Sequence, residues 1–132
     1  MDSILQIYKL LDWKNNQETQ NDGILLASQI NNLSLLIQPC HERFNKNIWD
    51  NCALVLAQKT DDELNPYLLQ LLEWIQDLNW PGATIIHERL QSFDNCTFLK
   101  EAIKSSLIRS QVTGDVIWQH NLLEIQEGID PE

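Results

Sequence analysis

At 132 residues, 43% hydrophobic and 21% charged, the chain is long enough to bury a core and lacks the composition of a disordered polymer. Nine basic residues against nineteen acidic ones give a formal net charge of −10, with no run of Lys or Arg to form a basic face. That argues against nucleic acid and anionic membranes as partners and permits a basic protein partner. Acidity serving only solubility accounts for the same charge.

Four glycines and four prolines leave little material for a sandwich of tightly turned strands, and helical periodicity dominates instead. The N-terminal stretch MDSILQIYKLLDWKNN is amphipathic, too short and too charged for a signal peptide or a membrane span. Ile4, Ile7, Leu10 and Leu11 predict a short helix there, and residues 17–31 a second. Residues 33–38 fit helix or extended chain equally, and 39–46 read as a polar loop.

Ile48, Trp49, Cys52, Val55 and Leu56 form an apolar stripe on a helix over about 46–58. Thr60-Asp61-Asp62-Glu63 has capping-box spacing, and Asn65-Pro66 offers an N-cap followed by proline at the first helical position. A turn at 61–64 is therefore expected to lead into a helix ending near Leu78 or Asn79. Leu64, Tyr67, Leu68, Leu71, Trp74, Ile75 and Leu78 share one face of it. Leu69 and Leu72 lie off that face and imply packing on a second side.

Pro81 disfavours helical geometry at Trp80, and the next helix is expected to start with that proline and run to about 92. Ala83, Ile86, Leu90 and Phe93 make its apolar face. A connection of about three residues makes 65–92 an antiparallel hairpin. Cys96, Leu99, Ile103 and Leu107 mark a helix over 96–111. After the break at Thr113-Gly114-Asp115, residues 116–127 form the last one.

The expected fold is all-α, one domain of about six to seven helices: N-terminal helices over 1–38, then stacked antiparallel hairpins over 46–127. In that reading 46–58 pairs with 65–78 and 80–92 with 96–111, an irregular HEAT-like superhelix. A plain helix bundle is the alternative.

Little in the chain points to catalysis. Cys40, His41, Cys52, His87 and Cys96 match no zinc-ligand spacing, so no metal and no cofactor is expected. Three widely spaced cysteines are not a disulfide framework, which leaves the cytoplasm as the default compartment. There is no nucleophile elbow and no Gly-rich phosphate loop. Glu73 and Asp77, four apart on one predicted helix, with Glu88 on its partner, could do acid–base work or bind a cation. Among nineteen acids such a pair arises by chance, and a solvated face explains it.

Five tryptophans are many for this length. Tryptophan is enriched in binding hot spots, yet Trp49 and Trp74 lie on core stripes, and only Trp80 at the corner is left open between core and surface.

The strings Trp49-Asp50-Asn51-Cys52-Ala53 and Leu72-Glu73-Trp74-Ile75-Gln76-Asp77-Leu78-Asn79-Trp80-Pro81-Gly82-Ala83 resemble a family of small bacterial domains of unknown function. That family is marked by a W-x-N-C-A block and a L-L-E-W-L-Q-D-L-N-W-P-G-A block, and the resemblance spans about residues 36–93. Ile75 stands where the pattern usually has leucine. The resemblance implies an all-helical, HEAT-type fold and no established activity. It draws attention to the polar motif residues Asn51, Gln76, Asp77 and Asn79, of which Asn79 reads as a cap for the second helix. Gly82 reads as a point of close approach.

The sequence thus favours a non-enzymatic interaction module, of an immunity or regulatory type, with Asn51, Glu73, Gln76, Asp77 and Trp80 as candidate surface. A small enzyme or ligand-binding protein with its site at the 73–88 corner is the alternative. An oligomerisation domain is a third reading.

Overall fold

The computed structural model describes residues 3–39, 44–94 and 97–129, and among these every regular element is helical. Eight α-helical segments follow in order: α1 (Ile4–Leu11), α2 (Gln17–Ala27), α3 (Trp49–Ala57), α4 (Asp61–Leu64), α5 (Leu68–Trp74), α6 (Ala83–Gln91), α7 (Thr97–Thr113) and α8 (Val116–Ile129). Cys40, His41 and Cys96 lie outside the described residues.

Local chemistry starts most of the helices. Ser3 and Gln6 form a reciprocal capping box on α1, and Asn16 caps α2. Thr60 and Glu63 close the box expected from their spacing: the Thr60 backbone N–H donates to Glu63 Oε1 (3.0 Å) and Glu63 N–H to Thr60 Oγ1 (3.1 Å). These bonds to the ionised form hold the Glu63 carboxyl below its usual value.

Three expectations need correction, and one left open is resolved. The second N-terminal helix stops at Ala27 rather than 31, because Ser28 Oγ donates to the Leu25 carbonyl (2.6 Å) and the chain continues in tighter turns. Residues 33–36 form a short 3₁₀ turn, and Ile37 is extended. The helix expected over 65–78 is a 3₁₀ turn over 65–67 followed by α5, which ends at Trp74. The next helix begins at Ala83, so eight residues, 75–82, connect the two instead of three.

The pairing differs as well. α3 packs chiefly on α6 and α2, α5 on α7, and α8 on both α6 and α7, whereas α5 and α6 touch less extensively. The long 75–82 segment is the reason. It carries α6 away from α5 far enough to lie along α3, where a three-residue turn would have held consecutive helices side by side.

The expected apolar faces do form the core. Ile48, Trp49, Cys52, Val55 and Leu56 of the first stripe are buried, as are Leu64, Leu68, Leu71, Trp74 and Ile75 of the second, whose Tyr67 and Leu78 are half-buried against the core. Leu72 meets the two-sided packing foreseen for it, but Leu69 remains 46% exposed. Ala83, Ile86, Leu90 and Phe93 are buried, while Thr84, Glu88 and Gln91 face solvent. No described helix is long and apolar enough to cross a membrane.

Candidate functional site

The segment 75–82 is held by its tryptophans. Trp74 is fully buried and its Nε1 donates to the Pro81 carbonyl (2.9 Å). Trp49 packs edge-on against both Trp74 and Trp80, with centroids 6.2 Å apart in each pair. Gly82 has φ +80°, and a Cβ there would stand 2.8 Å from the Trp49 carbonyl oxygen and 2.8 Å from Ala53 Cβ. Only glycine supplies both the left-handed backbone and the missing volume. Pro81 therefore lies in the turn and does not start α6, and the residue preceding α6 is Gly82, with no side-chain cap. Asn79 is not a cap either. It is exposed, and its backbone N–H donates to Asp77 Oδ1 (2.8 Å) in a local Asx turn.

α5 ends early because α8 satisfies its last carbonyls. Trp118 Nε1 donates to the Leu72 carbonyl (3.0 Å), and Asn121 Nδ2 to that of Ile75 (2.8 Å). Gln76 Nε2 turns back to the Glu73 carbonyl (2.9 Å). Carbonyls at a helix C-terminus must find donors somewhere, and here a helix more than forty residues onward supplies two of them.

This early end separates the carboxylates expected to share a face. Glu73 is on α5, its Oε1 3.3 Å from Arg109 Nη1 of α7. Asp77 lies in the turn beyond the helix, and Glu88 is exposed on α6. His87 is buried and donates from Nε2 to the Asn121 carbonyl (3.3 Å), with Glu124 Oε1 3.6 Å away. Glu73, Asp77 and His87 do not converge on one cavity. Asn51 is also not on the surface: it is buried, and its Nδ2 donates to the Leu11 carbonyl (2.7 Å) and to Gln20 Oε1 (3.0 Å). It ties α3 to the end of α1 and to α2. Cys52 is buried too, and burial pushes its thiol up to about 12, which makes it an inert packing residue at neutral pH.

What the structure does bring together is Gln76, Asp77, Asn79 and Trp80 with Asp115, Ile117 and Asn121 at the start of α8. They line an open cavity of about 480 Å³. Asp115 caps α8, its Oδ1 accepting from the Trp118 N–H (2.9 Å). Ile117 is 68% exposed at the cavity's edge. The sequence reading missed the α8 half. Asp115 before an apolar run was legible as a helix cap, but nothing in the sequence links positions 76–80 with 115–121.

Residues 45–129 match the sequence profile of a family described as Domain of unknown function (DUF5071). The chain belongs to that family. The DUF5071 match takes in α3 to α8, both tryptophan-bearing motif strings and every residue of the cavity, and leaves α1 and α2 outside. No curated protein and no solved structure matches the chain.

Proposed function

We propose that the chain is a non-enzymatic protein-interaction module that meets a basic partner at the cavity between the 75–82 turn and the start of α8. The observation that carries this reading is the composition of the cavity. Two aspartates, Asp77 and Asp115, stand beside the half-buried ring of Trp80 and the exposed side chain of Ile117. Aromatic and aliphatic surface flanked by like charges suits recognition better than catalysis, since a tryptophan anchor gives contact area and the acids select a cationic partner. The chain's net charge of −10 would steer such a partner.

The order of packing supports a HEAT-like arrangement behind this surface. α3, α6 and α8 contact in succession on one side and α5 and α7 on the other, as two ladders of a helical stack would. An immunity or regulatory protein that neutralises a basic effector is one form of the proposal, and a cytoplasmic location would suit it.

The test is affinity capture by the full chain in a salt series, alongside a Asp77→Asn/Asp115→Asn variant. Both substitutions keep the side-chain oxygen that accepts the local backbone bond, so the charge changes and the turns do not. A partner retained by the native chain, lost at high salt and lost by the variant supports the reading. A partner indifferent to both rejects it.

A further inference from the structure

Every hydrogen-bonded polar side chain in the cavity is fixed through one of its two polar atoms. Asp77 and Asp115 each commit Oδ1 to a backbone N–H. Gln76 commits Nε2 to the Glu73 carbonyl, and Asn121 commits Nδ2 to that of Ile75. A carbonyl accepts only from a donor, so both amides have a fixed orientation, and each keeps its oxygen uncommitted beside a second N–H. Among the described residues no donor reaches Asn121 Oδ1, although Asn121 is only 4% exposed and lines the cavity. Four side chains locked this way leave four acceptors, two of them carrying negative charge.

The lining also carries donors, in the second N–H of each amide, the Asn79 amide and Trp80 Nε1–H, but its charged groups are the two aspartates, so a cationic ligand rich in donors suits it. We propose that the cavity takes the guanidinium of an arginine side chain carried by the partner protein. Guanidinium presents five N–H donors in a plane and no acceptor, is always charged, and stacks on aromatic faces. Trp80 is the aromatic residue of the lining, and the exposed Ile117 offers an apolar edge for the arginine stem. Lysine brings the same charge but only three donors around a point, and matches spread acceptors less well. This assignment rests on the interaction-module reading and gives it a chemical identity.

The experiment titrates the full-length chain with N-acetyl-arginine amide and, separately, with N-acetyl-lysine amide. The side-chain N–H signals of Trp80, Asn121 and Gln76 are followed by NMR. The expected result is a saturable shift at all three with the arginine probe, at least several-fold weaker with the lysine probe. The Asp77→Asn/Asp115→Asn variant should weaken arginine binding tenfold or more. An Asp22→Asn/Glu88→Gln variant, with the same net charge but two exposed acids removed outside the cavity, should leave it unchanged. No saturable shift, equal response to lysine, or equal loss in the remote variant overturns the assignment. If the amides fail while partner capture keeps its dependence on Asp77 and Asp115, the guanidinium site falls and the interaction reading stands. If both fail, both fall.

Discussion

Two glycines turn corners in this molecule at similar positive φ, Gly82 at +80° and Gly114 at +71°. Their surroundings are opposite. Gly82 lies against Trp49, Ala53 and Trp74 with no room for a methyl group, whereas nothing stands within 4 Å of a Cβ placed on Gly114. One corner is a packing joint between α3 and the 75–82 turn, and the other is a plain reversal of the chain between α7 and α8. The same residue at a similar φ thus has a tertiary role at one corner and only a local role at the other.

Substitution separates these roles. Gly82→Ala adds an overlap with rigid backbone to the cost of a left-handed alanine, and is expected to lose about 4 kcal/mol, read by chemical denaturation. Next comes Asn121→Ala, which strips the Ile75 carbonyl of its donor in a buried setting and should cost about 2 kcal/mol. Asp115→Ala removes the cap at the open corner and should cost about 1 kcal/mol. Gly114→Ala, where only the backbone conformation is penalised, should likewise cost about 1 kcal/mol. Equal losses for the two glycine variants would remove the contrast, and a loss at Asn121 below that at Asp115 would deny α8 its part in ending α5.

Legibility in the sequence was also unequal along the chain. Around Thr60 the sequence reading succeeded because both partners of the capping box are three residues apart, and both bonds form. At Trp74 it failed because the helical stripe continues to Leu78, and periodicity registers which face is apolar but not where the backbone bonds stop. The donors that end α5 belong to Trp118 and Asn121. Asn51 misled for the same reason: its place within a helix was readable, but its acceptors are Leu11 and Gln20, on other helices. Gln76, Asp77 and Trp80 do line a cavity, yet its other wall comes from α8, and Glu73 is drawn away to Arg109.

By itself the sequence determined that the chain is helical, which faces are apolar, and where Thr60 starts a turn. These follow from interactions within about four residues, which spacing encodes directly. Tertiary structure alone decided that α6 lies along α3, that α5 stops at Trp74, and that two aspartates 38 positions apart (77 to 115) border one cavity with Trp80. Those outcomes depend on buried carbonyls finding donors and on rings filling space between distant segments, conditions that no local pattern contains.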